Sequence, residues 1–150
     1  MGRFIIEGGH RLSGEITPQG AKNEALQILC ATLLTPETVT VHNLPRINDV
    51  LALIGLLGDL GVEVTRLSDS SYSFRAAIVD TDYFSTVAYR EQSAALRGSV
   101  MILGPLLARF GSAVLPKPGG DKIGRRRLDT HFIGFRSLGA EFDFDHASNL

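Results

Sequence analysis

Apolar residues recur at helical spacing at Leu26, Leu29, Cys30, Leu33 and Leu34, which predicts a helix from Ala21 to about Leu34. Ahead of it, Phe4–Glu7 and Leu12–Thr17 read as two short strands joined by Gly8-Gly9-His10, a hairpin signal. Pro18-Gln19-Gly20 then breaks the strand pattern. Behind the helix, Val39 and Val41 alternate with polar neighbours and predict a strand over Glu37–Asn43. A second helix is expected to about Leu60, with Asn48 or Asp49 as its cap and Gly61 just past its end. Val62–Leu67 and Tyr72–Arg75 read as a hairpin across Ser68-Asp69-Ser70-Ser71, and Ala76–Arg90 shows no clear period.

The second half is less regular. A helix is predicted from about Ser93 to Phe110, but Gly98, Gly104 and Pro105 lie inside it. A proline in an apolar periodic run predicts a kink or a broken first half. Gly111 ends the run, Ala113–Leu115 reads as a short strand, and Lys117–Gly124 as a glycine-containing loop. A helix from about Arg125 to Leu138 and a strand over Ala140–Phe144 follow, separated by Gly139. Leu60-Gly61-Val62-Glu63-Val64 and Leu138-Gly139-Ala140-Glu141-Phe142 match in phase, which marks an internal repeat. The unit is helix, strand, helix, strand, with one further strand after the first copy. One such unit cannot bury both faces of its helices, so copies are expected to pack together. The chain stops just after the second copy's strand, which reads as a fragment.

Composition narrows the class. The 150 residues suffice for a domain with a core, and 44% hydrophobic with 21% charged residues is ordinary for a globular protein. A formal net charge of -1 provides no global field for nucleic acid or an anionic membrane, so any anion preference must be local. The single cysteine, Cys30, excludes an internal disulfide framework and a cysteine zinc site. Set in the run Ala25–Ala31, it reads as a buried structural thiol. The N-terminus turns polar too soon for a secretory apolar stretch, and the runs Leu26–Leu34 and Val100–Ala108 are too short to span a bilayer. A soluble cytoplasmic protein is expected, with no membrane partner.

Two segments carry candidate chemistry. In Gly20-Ala21-Lys22-Asn23-Glu24, Lys22 falls in the first turn of a helix, where a cation opposes the helix dipole. Beside free backbone N–H groups, that placement suits an anion, and Asn23 adds a neutral donor and acceptor. An ordinary exposed lysine at a fraying end is the competing reading. In the second segment, Lys117, Lys122, Arg125, Arg126 and Arg127 crowd a loop and a helix start, a setting for phosphate or pyrophosphate. Gly119, Gly120 and Gly124 permit close backbone approach, and Asp121 is the loop's only carboxylate, so it is the candidate for proton chemistry. A plain charged surface loop remains the alternative. A nucleic-acid patch is disfavoured because no aromatic residues interleave the cations. Arg97 interrupts an apolar stretch and, if buried, needs an anionic partner. His131 is close enough in sequence to pair with Asp129, but a lone histidine is more often simply hydrogen-bonded, and neither zincin spacing nor a P-loop occurs. Nothing calls for a metal or a cofactor.

Three motifs stand in order: Gly20-Ala21-Lys22-Asn23, then Leu96-Arg97-Gly98-Ser99 with Gly104–Gly111, then Pro118-Gly119-Gly120-Asp121-Lys122-Ile123-Gly124-Arg125-Arg126-Arg127-Leu128-Asp129-Thr130-His131. Together they resemble the UDP-N-acetylglucosamine 1-carboxyvinyltransferase family of enolpyruvyl transferases, over essentially the whole chain. The sister family acting on shikimate 3-phosphate has Lys-Ser where this chain has Lys22-Asn23, and it lacks the Pro-Gly-Gly loop. The resemblance implies an α/β fold of βαβαββ-type repeats in an inside-out barrel, with about two repeats present. It places residues 1–17 as strands of a second domain and 18–150 as an incomplete first domain. It implies transfer of enolpyruvyl from phosphoenolpyruvate to the 3′-hydroxyl of UDP-N-acetylglucosamine, the first committed step of peptidoglycan synthesis. Lys22, Asn23 and Arg126 would hold phosphoenolpyruvate. Asn23, Arg97, Arg126, Arg127, Leu128, Asp129 and Thr130 would hold the UDP-sugar. The fragment alone, lacking the remainder of the chain, is expected to be inactive. A non-catalytic UDP-sugar or anion-binding module is the competing class.

The loop departs from the commoner family pattern at two positions. Many members carry cysteine where Asp121 stands, and a carboxylic acid ordinarily titrates roughly 4–5 pH units below a thiol. To donate a proton at neutral pH, Asp121 needs burial to raise its pKa against the pull of nearby arginines. The exchange also removes a nucleophilic thiol, which implies insensitivity to fosfomycin, the epoxide that alkylates the cysteine form. Proline is common where Arg127 stands, so at that position only the backbone contact to uracil carries over.

Overall fold

The structure, a computed structural model, describes residues 3–117, 119 and 127–144. Helix α1 spans Lys22–Ala31 and runs into a 3-10 turn, Thr32–Leu34. Strand β1 (Thr38–Val41), helix α2 (Asn48–Asp59) and strands β2 (Glu63–Arg66) and β3 (Tyr72–Arg75) follow. The three strands form one antiparallel sheet with β3 in the middle, in the order β1-β3-β2. The expected hairpin is therefore present, and β1 joins its far side. Phe74 faces Val39 on one side and Val64 on the other, so one aromatic ring is flanked by branched side chains from both neighbours. It is fully buried and belongs to one core with Leu29, Leu53, Leu57 and Leu106 of the helices. Phe74→Ala should lower stability by about 3–5 kcal/mol, a large part of the roughly 5–15 kcal/mol typical of a domain, as read from the urea midpoint.

Helix α2 begins where the sequence placed it, but neither Asn48 nor Asp49 is the cap. Ile47 holds the cap position without a side-chain bond, and its carbonyl accepts from Val50 and Leu51 at 3.1 Å each. Asp49 instead sits in the first turn, where its charge suits the positive helix end. The predicted helix over 93–110 is three pieces. Helix α3 (Val87–Ala95) is capped by the Thr86 hydroxyl, which accepts from Tyr89 N at 3.1 Å. The chain turns extended at Leu96, passes through a 3-10 turn, Arg97–Ile102, and enters α4 (Leu103–Phe110). The break thus precedes Pro105, which lies in the first turn of α4, where a missing N–H costs no helical bond. Gly111 closes α4 at φ 73.

Four strand expectations fail. Residues 3–17 form no ladder, and Phe4, Ile6 and Leu12 are at least 90% exposed. Two strands without a sheet or helix to pack on are marginal in water. Ala113–Leu115 and Ala140–Phe144 also carry no ladder. Helix α5 spans Asp129–Ser137, later than expected, so Arg127 precedes the helix and its first turn is acidic. Arg125 and Arg126 lie outside the described residues.

The repeat survives at the helix exits. After α2, Gly61 N donates to Gly58 O at 2.9 Å and Val62 N to Leu57 O at 3.0 Å. After α5, Gly139 N donates to Arg136 O and Ala140 N to Phe135 O, each at 3.0 Å. Gly61 and Gly139 have φ 92 and 93, the left-handed geometry this motif demands. Only the first copy builds a sheet among the described residues.

Candidate functional site

Lys22 is the first residue of α1, and Ala21 before it is extended and supplies no side-chain cap. The first intrahelical bond runs from Ala25 N to Ala21 O, so the N–H groups of the first turn have no helical acceptor. The entry is held by backbone contact. A Cβ on Gly20 would lie 2.0 Å from the carbonyl oxygen of Asn43, so only glycine fits there. Asn43 is itself left-handed at φ 57, and Leu44 N bonds Ser70 O at 2.8 Å. This packing sets the start of α1 beside the connection into α2, and the Lys22 ammonium forms an ion pair with the Asp49 carboxylate.

Asp49 is the residue the sequence reading missed. Its only local signal was an acid in a helix first turn, which ordinarily means dipole compensation. Both partners are about half exposed, so the pair contributes less than about 1 kcal/mol to stability. Its importance lies in aim: it points a cation across two helix N-termini, where an arriving anion would compete with the carboxylate. Asn23 stands exposed on the same first turn.

Arg97 opens the 3-10 turn and is partly buried. Gly98, next to it, packs on α1, with a Cβ position 3.0 Å from Leu26 Cδ1. That contact lays the turn bearing Arg97 on the helix that begins at Lys22. The buried Ser99 hydroxyl donates to Ser93 O at 2.8 Å and braces the break between α3 and the turn. Arg109 braces the opposite end of α1, donating to Leu33 O at 3.0 Å and Thr35 O at 3.3 Å.

The second predicted segment is only partly described. Asp121 and Arg126 lie outside the described residues. Arg127 is exposed and paired with Asp129, Leu128 accepts from His131 N at 3.0 Å and Phe132 N at 3.2 Å, and Thr130 is exposed in the first turn of α5. Asp129 thus pairs with Arg127, where the sequence had offered His131 as one possible partner. A cleft of about 400 Å³ lies between the end of α4 and residues 141–144, lined by Leu103, Leu107, Phe132, Phe142 and Phe144 among others. None of the described candidate site residues lines it.

Cys30 is buried, and burial pushes its thiol up to about 12, so it stays protonated at neutral pH and is no nucleophile. Among the described residues no three His, Cys, Asp or Glu side chains are grouped to hold a metal, and no helix is long and apolar enough to cross a membrane.

Residues 6–150 match the sequence model of a family described as EPSP synthase (3-phosphoshikimate 1-carboxyvinyltransferase). Among curated proteins, the chain is 61% identical over all 150 residues to a UDP-N-acetylglucosamine 1-carboxyvinyltransferase of Bacteroides fragilis, covering 35% of that protein. It is 57% identical over 150 residues to the protein of that name from Bacteroides thetaiotaomicron, again 35% of its length. The corresponding Porphyromonas gingivalis protein is 56% identical over 144 residues, which cover 96% of this chain and 33% of that one. The chain therefore spans about a third of the length of these relatives.

Proposed function

Because the chain belongs to the EPSP synthase (3-phosphoshikimate 1-carboxyvinyltransferase) family, we propose that the whole protein moves the enolpyruvyl group of phosphoenolpyruvate to the 3′-hydroxyl of UDP-N-acetylglucosamine and releases phosphate. The observation that carries this reading is Lys22-Asn23 at the open N-terminus of α1, with the lysine aimed by Asp49. The choice of acceptor is supported by that Lys-Asn pair, by the Pro-Gly-Gly loop, and by the names of the relatives at 56–61% identity.

In this reading Lys22, Asn23 and Arg126 hold phosphoenolpyruvate, and Arg97 with Arg126–Thr130 holds the UDP-sugar, Asn23 touching both. The sugar oxygen bonds C2 of phosphoenolpyruvate while Asp121 protonates C3. The hydroxyl gives up its proton as this bond forms; the C2–O bond to phosphate then breaks as C3 loses a proton, and the C2–C3 double bond that re-forms makes the enol ether product. Fixed cations stabilise the phosphate as it gains charge on leaving. Residues 1–17 are strands that belong to a second domain, which suits the exposure of Phe4, Ile6, Leu12 and Ile16. The rest is the incomplete first domain of an inside-out barrel, for which the matched helix exits at Gly61 and Gly139 speak. The step would commit carbon to peptidoglycan in the cytoplasm, and so serve the cell wall, cell shape and division.

The test is phosphate release from phosphoenolpyruvate with either acceptor. The whole protein should release phosphate with UDP-N-acetylglucosamine and not with shikimate 3-phosphate, and the 150-residue chain should release none with either. Binding of the UDP-sugar without phosphate release by the whole protein would favour the non-catalytic module.

A further inference from the structure

Helix α3 ends in an unusual way. The chain leaves it extended at Leu96, so its last carbonyls turn away from any following helical turn. The carbonyl of Ala94 is met from a distant part of the chain: Gly119 N donates to it at 2.6 Å. The approach is so close that a Cβ on residue 119 would lie 2.2 Å from that oxygen and 3.3 Å from its carbon. No side chain fits there without moving the backbone. A second stitch runs parallel to the first, since the buried Tyr89 hydroxyl donates to Val114 O at 2.5 Å. Val114 and Gly119 are thus each fastened to α3. The C-terminus of α3 is also where the turn carrying Arg97 begins, braced by the Ser99–Ser93 bond.

We infer that Gly119 is a positioning residue: by capping α3 at Ala94 it fixes where the glycine loop starts relative to Arg97. The inference rests on the enolpyruvyl transfer reading, in which Asp121, two residues further on, must reach C3 of a substrate held partly by Arg97. Gly119 touches no reacting atom and acts through the loop it anchors. The role also separates the glycines of this loop, because Gly119 is needed for contact with a helix end and not for a turn. A displaced loop base would leave phosphoenolpyruvate binding at Lys22 intact and misplace the proton donor.

The experiment uses the whole protein and two readouts. Hydrogen exchange at the amide of residue 119 should be slowed in the wild type and restored to the unprotected rate in Gly119→Ala. Turnover of Gly119→Ala should fall on the order of 100-fold, as expected for a reacting group misplaced by about an ångström, with KM for phosphoenolpyruvate changed less than about twofold. The thermal midpoint should stay unchanged, and Ser112→Ala, an exposed site on the same connection, should match the wild type in all respects. Unprotected exchange at Gly119 in the wild type would overturn the anchor whatever the activity. A slowed amide with full turnover in Gly119→Ala, or a rise in KM equal to the loss in kcat/KM, would overturn the positioning role. A wild-type protein that releases no phosphate would sink the reaction and the positioning role with it, while the exchange result would still decide the anchor.

Discussion

Asp121→Asn in the whole protein is expected to slow phosphate release by about 10²–10⁴-fold, the range over which a positioned general acid contributes. Asparagine keeps the shape of the side chain and loses the transferable proton, so C3 of phosphoenolpyruvate can no longer be protonated from the loop. Substrate affinities should change little, because Asp121 is assigned to the transition state and not to holding either ground state. A variant with full turnover would remove Asp121 from the chemistry and move the search to the part of the protein beyond this chain. The wild-type loop offers no thiol to an epoxide, so turnover should also persist in fosfomycin.

Lys22→Gln should lower kcat/KM for phosphoenolpyruvate about 10- to 150-fold. A hydrogen bond to a charged group is worth about 1.5–3 kcal/mol, and each 1.4 kcal/mol is a factor of ten. The loss should fall mainly on phosphoenolpyruvate and spare the UDP-sugar. Asp49 sharpens the test, because it shares the lysine with the incoming anion. Residues in direct contact couple, so Lys22→Gln and Asp49→Asn should be non-additive by about 0.5 kcal/mol or more. Strict additivity would mean that the ion pair plays no part in presenting the lysine.

The comparison of sequence with structure divides along one physical line. Where a pattern needed only its own segment or a near neighbour, it was legible: α1, α2, the β2–β3 hairpin, and the glycine exits at Gly61, Gly111 and Gly139. Strand β1 was legible too, although its partner β3 lies far along the chain, but the other patterns that needed a distant partner were not. The alternation in residues 4–17 and 140–144 is real, yet a strand exists only when another strand completes its ladder, and the described residues hold none for these. The first copy of the repeat shows what is needed, since its outer strands both depend on β3 between them. Of the candidate site, Lys22 and Arg97 were singled out from charge in the wrong surroundings for stability. Asp49 was invisible because its meaning comes from a contact between two helix starts, and Gly119 because a close backbone approach leaves no mark beyond the glycine itself.

The sheet order has a consequence for how the chain is made. Its middle strand is the last of the three to be synthesised, so neither β1 nor β2 has a ladder partner until Arg75 has left the ribosome. At about 5–20 residues per second, the apolar faces of α1 and α2 wait several seconds for the layer they pack on. Once β3 emerges, the hairpin with β2 can close within about 1–10 μs, and β1 docks on its free edge. Folding of this layer is therefore gated by translation, and Phe74, which fills the gap between the two outer strands, arrives as its closing piece.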